Sequence, residues 1–244
     1  MRTVGTFLSI LCIVLNAIAA EPPVPPAEKI RILHIELSAI IAPEKLVFPL
    51  LDDFNDETKM NAAFAKVQAA IGRGEATVAA TVFAQGEPWR ILSSETCEEV
   101  KYATEFEAPK YPNLDSKKDL ASLPKDVKSI ALTPTAFETR NVGMSLEVSQ
   151  VEFAKDWQHL KFLMAAQHVR FLGWDEFDAG ITPQGVRIVA KQPRFFSAKN
   201  NSTISLRVGG RALAGIHKLP DQPKTFELFF IRAWTTTESK DGAK

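Results

Sequence analysis

The side chains of this 244-residue chain that could carry out catalysis or bind a metal are its histidines and a short acidic cluster. The four histidines lie far apart, without the spacing of metal ligands, at His34, His159, His168 and His217. The chain has neither the Gly-x-Ser-x-Gly motif of a serine nucleophile nor the His-Glu-x-x-His motif of a zinc protease. We therefore expect no catalytic, cofactor-binding or metal-binding residues, and we interpret each histidine as a surface or strand-edge residue.

Two further patterns resemble ligand-binding loops but are better explained otherwise. Residues 210–215 have the glycine spacing of a phosphate-binding loop, but Ile216 and His217 occupy the positions that need Lys and Ser or Thr. A hairpin turn and a strand end explain these glycines. Residues 175–178, Asp-Glu-Phe-Asp, lack the ligand spacing of a calcium loop, so a solvated loop is favoured.

The N-terminal residues have the composition of an export signal. Arg2 precedes an apolar run over residues 7–15, and residues 17–19, Ala-Ile-Ala, fit the small-x-small rule for cleavage. The run is shorter than the roughly 20 residues of a membrane-spanning helix. We predict a signal peptide over residues 1–20, with an uncleaved anchor as the alternative, and a proline-rich extended linker over residues 21–28.

Export would leave Cys97 as the only cysteine of the mature chain, because Cys12 lies within the predicted signal peptide. One thiol cannot form an internal disulfide, so the fold must depend on its apolar core. We expect Cys97 to be buried and inert, with a reactive or intermolecular thiol as the alternative. The 29 basic and 29 acidic residues balance, which removes the usual argument for a nucleic-acid partner.

Residues 29–107 are predicted to form a small α+β unit. Apolar residues alternate with polar ones over residues 33–39, as in a half-buried strand. A helix capped by Asp56 is predicted over residues 56–72, because apolar residues recur there on one helical face. The remaining elements are a hairpin made of residues 77–83 and 89–92 and a strand over residues 100–106.

The second half of the chain is predicted to be mostly β. Even-numbered apolar residues over 142–148 and 160–164 indicate two strands, and each pattern then shifts to odd positions, which predicts bulges near residues 149–150 and 167–168. Residues 226–231 are apolar on both faces apart from Glu227, which predicts a central strand covered on both sides. The predicted organisation continues with a connector loop over residues 108–133, a β domain over residues 134–234 and a polar tail over residues 235–244.

The order of motifs in this β domain resembles the C-terminal homology domain of secretins, the ring-forming outer-membrane proteins of type II and type III secretion. Residues 74–106 resemble the short segment that precedes this domain in some members. The matching motifs are Phe137-x-x-Arg140-x-Val142-Gly143-x-x-Leu146-x-Val148, Gln192-Pro193-x-Phe195, a strand ending at Gly209-Gly210, and the apolar run Phe226–Ala233.

The resemblance implies a fold that is mostly β with one N-terminal helix (α+β), built on an antiparallel sheet of the secretin type. It also implies a structural or assembly role in protein secretion through the envelope, without catalysis. In that family each subunit contributes strands to one shared β-barrel, whose closure removes sheet edges. The implied partners are further copies of the chain or other secretion-apparatus subunits, and the implied location is the periplasm or the outer membrane. A soluble periplasmic binding module without a channel stays an alternative, and an enzyme with an unrecognised site is the third.

We expect the mature chain to begin at Ala20 or Glu21, because the small-x-small cleavage motif ends just before these residues. Intact-mass analysis of protein purified from the envelope fraction measures the start directly. A mass that retains residues 1–19 would contradict cleavage at this position.

Overall fold

The computed structural model describes residues 29–107, 129–181 and 185–239. The predicted signal peptide, the proline-rich linker and most of the connector loop lie outside the described residues. In chain order, the elements are β1 Lys29–Pro43, α1 Glu44–Val47, a 3-10 turn Phe48–Leu50, α2 Leu51–Phe54, α3 Glu57–Gly72, β2 Thr77–Gly86, β3 Leu92–Glu107, β4 Ser129–Ala131, β5 Thr133–Phe153, β6 His159–Ile181, β7 Arg187–Arg207, β8 Arg211–Lys218 and β9 Thr225–Ser239.

The strands form two sheets. Sheet 1 has the order β2-β1-β9-β8, and sheet 2 has the order β3-β5-β6-β7-β4. Neighbouring strands are antiparallel, except that the short β4 runs parallel to β7. The predicted fold class, mostly β and antiparallel with a helix near the N-terminus, is confirmed. Both sheets contain strands from before and after residues 108–133, so the connector separates regions of sequence and not the two sheets.

Strands β1 and β9 form the centre of sheet 1. They pair from Lys29 opposite Ser239 to Pro43 opposite Thr225 without a register shift. Residues 235–239, predicted as the start of a polar tail, are therefore part of β9. The side chains of Phe229 and Ile231 face sheet 2, while Leu228 and Phe230 face the helices. The predicted central strand covered on both sides is confirmed.

The main core lies between the two sheets and follows from the alternation of apolar residues in each strand. Burial of one such Leu or Met side chain contributes about 1.5–3 kcal/mol. The large side chains of this core are Leu33, Ile35, Leu37, Met144, Leu146, Val148, Leu160, Phe162, Met164, Ile204, Leu206, Phe229 and Ile231.

A second core lies between sheet 1 and the helices. Helix α3 begins after Asp56, whose carboxylate accepts a hydrogen bond of 2.9 Å from the backbone N–H of Thr58, as the sequence predicted. Phe64 packs edge-on against Phe230 with ring centroids 4.9 Å apart. The single-turn helices α1 and α2 were not predicted, because a four-residue helix is too short to show a period of 3.6 residues.

Two predictions about strand pairing were wrong. Residues 89–92 do not return beside β2, because the chain turns at Trp89 and enters sheet 2 as the single long strand β3. The bulge near residues 149–150 is confirmed, since the register shifts after Ser149 and Gln150 has φ 52°. The matching bulge near residues 167–168 is absent, because the β6–β7 register runs unbroken from His159 to Phe171.

The inward face of β5 gives a direct test of the core. Leu146 is 2% exposed, whereas the adjacent Glu147 is exposed. We expect Leu146→Asp to unfold the protein, because it places an unpaired charge between the sheets. Glu147→Gln should keep the melting temperature within a few degrees. Thermal denaturation followed by circular dichroism measures both, and a silent Leu146→Asp would contradict the assigned face.

Candidate functional site

The most unusual feature of the molecule is a fork in sheet 2. Strands β5 and β6 pair with each other over only part of their length, from Gly143, opposite Val169, to Phe153, opposite Leu160. Beyond the fork, β5 pairs with β3 alone and β6 pairs with β7 alone. We call the first pair ribbon 1, residues 98–107 with 133–142, and the second ribbon 2, residues 170–181 with 187–196.

Gly143 lies where the ribbons separate, and its backbone requires glycine. Its φ is 135°, a conformation that other residues rarely adopt. A Cβ atom there would also clash with the carbonyl oxygen of Thr96 on β3. The Arg-x-Val-Gly motif therefore marks the position of the fork.

The fork leaves two backbone edges without a strand partner among the described residues. These inner edges are the side of residues 134–142 that faces away from β3 and the side of residues 170–181 that faces away from β7. In an antiparallel pair, each strand directs alternate N–H and C=O groups away from its neighbour. Each inner edge thus presents a row of groups that can pair with another strand.

A few side chains bridge the two ribbons across the fork. Nη2 of Arg140 on ribbon 1 donates a hydrogen bond of 3.0 Å to Oγ of Ser197 on β7, and its guanidinium lies 4.7 Å from the ring centroid of Phe195. The rings of Tyr102 and Phe195 are 5.8 Å apart. These contacts leave a hollow of about 290 Å³ between the ribbons, lined in part by Gln192.

The ribbons carry large apolar side chains on their surface. The exposed fractions are 51% for Phe137, 36% for Phe171, 47% for Trp174, 51% for Phe177 and 69% for Ile181. Of these, Phe171 packs within the aromatic group of ribbon 2, 5.5 Å from Trp174 and 5.8 Å from Phe195. Four of these five side chains lie on residues 170–181 of ribbon 2, so exposed apolar groups are concentrated on this strand.

The acidic cluster at residues 175–178 lies within β6, so the predicted solvated loop is wrong. Its carboxylates face basic side chains of β7, which explains the cluster without calcium. The ion pairs are Asp175–Arg194 at 4.0 Å, Glu176–Lys191 at 3.1 Å and Asp178–Arg187 at 2.5 Å. All of them are largely exposed, so each adds little to stability.

A buried polar group joins the two sheets next to the fork. Nδ1 of His168 on β6 lies 2.5 Å from Oε1 of Glu227 on β9, and the two residues are 5% and 0% exposed. His217 lies opposite Glu227 on β8, and burial lowers the pKa of its imidazole while Glu227 opposes that shift. The interpretation of His168 as a surface or strand-edge residue was therefore wrong. The contact also explains the apparent bulge near residue 168, since a polar residue occupies an inward position of an unbroken strand.

The remaining predicted positions do not meet in one place. His34 stacks between Phe83 and Trp234 on sheet 1, and His159 lies 4.0 Å from Glu57 at the surface. Within residues 29–107, 129–181 and 185–239, no three His, Cys, Asp or Glu side chains are arranged to hold a metal ion. In that same part of the chain, no helix is long and apolar enough to span a bilayer.

Cys97 is exposed on the outer strand β3, so the prediction of a buried thiol was wrong. Its side chain is outside the core because the odd positions of β3 face solvent. Desolvation and the nearby Glu95 both raise the pKa of the thiol, which keeps it protonated and weakly nucleophilic near neutral pH. Exposure, and not an activated thiol, is what makes Cys97 accessible to reagents.

The buried contact between His168 and Glu227 predicts a large stability effect. His168→Ala should lower the free energy of unfolding by roughly 3–5 kcal/mol, because it leaves a buried carboxyl group without a partner. The double variant His168→Leu/Glu227→Leu should recover much of this loss. Urea denaturation measures each value, with the exposed His159→Ala as the control. A double variant whose loss in free energy of unfolding equals the sum of the losses from the two single changes would contradict a coupling between His168 and Glu227.

Comparisons with known proteins returned solved structures only. No family model matches the chain, and no curated protein matches it. The type II secretion system secretin GspD of E. coli K12 matches at 12% identity and a TM-score of 0.32, over 85% of this chain and 49% of that chain. The secretin-domain β-barrel of InvG from the Salmonella SPI-1 injectisome matches at 10% identity and a TM-score of 0.36, over 88% of this chain and 64% of that chain.

A second structure of InvG, from the Salmonella SPI-1 type III secretion injectisome, matches at 9% identity and a TM-score of 0.37, over 88% of this chain and 66% of that chain. The chain thus spans between about half and two thirds of the length of these proteins. All of these matches are to secretins or secretin domains of type II or type III secretion systems, the family that the sequence resembles.

Proposed function

We propose that this chain is an exported, secretin-like protein with a structural, non-catalytic role in the assembly of an envelope secretion apparatus. The observation that carries the proposal is the fork, whose inner edges at residues 134–142 and 170–181 have no strand partner in the described part of the chain. Strands of a neighbouring subunit would complete these edges. The neighbour is a second copy of the chain or another subunit of the apparatus.

The backbone of the ribbons supports assembly because open strand edges are rare in isolated proteins. Native proteins shorten, charge or cover an exposed edge to prevent unwanted pairing. The inner edges here are long, and they lie on strands of 21 and 23 residues. Pairing with a neighbour would satisfy the free N–H and C=O groups and remove the edges.

The side chains of the ribbons support the same conclusion. The exposed aromatic and aliphatic groups of ribbon 2 would lose contact with water on assembly, at about 25 cal/mol for each Å² buried. The acidic residues of ribbon 2 already have basic partners, Arg187, Lys191 and Arg194, on the same ribbon. A neighbour that approaches ribbon 2 therefore meets carboxylates whose charge is already balanced on the same ribbon.

The proposed location is the periplasm or the outer membrane, and the support for it is the predicted export signal over residues 1–20. The balanced charge of the chain gives no attraction for nucleic acid, which we leave out of the proposed partners. The exposed apolar end of the ribbons is the part of the molecule that would face an outer membrane or a neighbouring subunit.

The second candidate is a soluble periplasmic binding module that does not form a channel. A groove of about 570 Å³ on the outer face of sheet 2 favours it. Polar side chains from four strands line this groove, among them Glu95 of β3, Ser145 of β5, Gln167 of β6 and Lys199 of β7. In this case the chain remains a monomer and binds a polar ligand.

Native size in detergent distinguishes the two functions. We expect the envelope-extracted protein to form a large ring-shaped particle, measured by native mass spectrometry and electron microscopy. The double variant Phe177→Ser/Ile181→Ser should shift it to the monomer, because it removes exposed apolar surface from ribbon 2. The melting temperature of the monomer should stay within a few degrees, since neither side chain is buried.

A matched control removes similar apolar groups elsewhere. Trp89 and Ile91, between β2 and β3, are 43% and 66% exposed, against 51% and 69% for Phe177 and Ile181. Trp89→Ser/Ile91→Ser should leave the particle intact. A parent protein that is monomeric after mild extraction would contradict assembly and favour the binding module.

A further inference from the structure

We propose that the cleft at the base of the fork binds an oxyanion, the carboxylate or phosphate group of a ligand, through Arg170. This inference does not depend on assembly, because every group it uses belongs to one subunit. It assigns a chemical class of ligand to a site at the base of the fork, where Arg170 begins the inner edge of ribbon 2.

The cleft has a volume of about 410 Å³ and lies where sheet 1 meets the fork. Four strands line it: β2 with Thr81, β3 with Thr96, Cys97 and Glu98, β5 with Gly143, and β6 with His168 and Arg170. The two threonine hydroxyls can donate hydrogen bonds to a ligand oxygen, although Thr81 also lies 3.2 Å from the hydroxyl of Ser38.

Arg170 is the group in this cleft that needs a partner. Its Nη1 atom is buried and has no hydrogen-bond partner among the described residues. The neighbouring basic residues of β7 differ, because Arg187, Lys191 and Arg194 each face a carboxylate. An unpaired donor on a buried cation is unfavourable, and a planar guanidinium matches the geometry of carboxylate and phosphate oxygens.

The nearby acidic groups do not supply that partner. Oε1 of Glu227 lies 2.5 Å from His168, whereas its Oε2 is buried without a hydrogen-bond partner, and none of the ion pairs within the described residues joins Glu227 to Arg170. Glu98 also lines the cleft with an exposed side chain, and it likewise forms no ion pair with Arg170 in the described part of the chain. Glu98 therefore weakens the attraction of the cleft for an anion, but it does not occupy the site. Neutralising Glu98 and neutralising Arg170 should change that attraction in opposite directions.

Cys97 provides a probe next to the same cleft, because it is one of the lining residues and its side chain is exposed. We would measure its rates of reaction with an anionic and a cationic methanethiosulfonate reagent, in the full chain with Cys12→Ser. The ratio of the two rates is independent of the thiolate fraction. Arg170→Gln should lower the anionic-to-cationic ratio by about three- to tenfold, the effect of one charge at roughly 6–10 Å in water.

Glu98→Gln should raise the same ratio, and Arg194→Gln, which does not line the cleft, should leave it unchanged. Arg170→Lys keeps the charge and should preserve the ratio, so it serves if Arg170→Gln fails to fold. If Arg170→Gln does not fold, an Arg170→Lys variant whose anionic-to-cationic ratio falls as far as was expected for Arg170→Gln would contradict the role of charge. An unchanged ratio in folded Arg170→Gln would overturn the proposal.

The kind of oxyanion is tested by protection of Cys97 from a neutral maleimide at constant ionic strength. Inorganic phosphate and acetate are the two probes, with chloride as the reference. Protection by phosphate alone supports a phosphate ligand, and protection by acetate alone or by both supports a carboxylate or a general oxyanion site. Protection should be lost in Arg170→Gln. Absence of protection by either anion would overturn binding at this cleft.

Discussion

The pairing of β1 with β9 is the interaction on which the rest of the structure depends. These strands join the first and last described segments of the chain over an unbroken register from Lys29–Ser239 to Pro43–Thr225. Their two faces complete both cores, one against sheet 2 and the other against the helices. Because the pairing is highly non-local, the sandwich can form only after both ends of the chain are available, which predicts slow folding.

The ribbons belong to strands that are longer than the strands at the centre of sheet 1. Strand β6 has 23 residues, whereas β9, at the centre of the covering sheet, has 15. The part of β6 within the core carries Leu160, Phe162 and Met164 inward, whereas the part beyond Val169 carries exposed aromatic groups. The molecule therefore combines a sandwich with two packed cores and two ribbons that carry open strand edges and exposed apolar side chains.

Alternation of apolar residues was sufficient to predict most strands, the buried face of β5 and the central strand β9. The helix was predictable because its period and its Asp56 cap agree. His168 was misread because its partner Glu227 is 59 residues away, so a polar residue at an inward position looked like a bulge. The fork could not be predicted, since alternation is the same whether a strand has one neighbour or two. Only Gly143 is a local sign of it.

Assembly through the fork can be measured by amide hydrogen exchange, compared between the monomer and the detergent-extracted particle. We expect residues 134–142 and 170–181 to exchange quickly in the monomer, because alternate N–H groups on these inner edges lack a strand partner among the described residues. The same residues should become protected in the particle, while β1 and β9 remain protected in both. A particle in which the inner edges exchange as fast as in the monomer would contradict assembly through the fork.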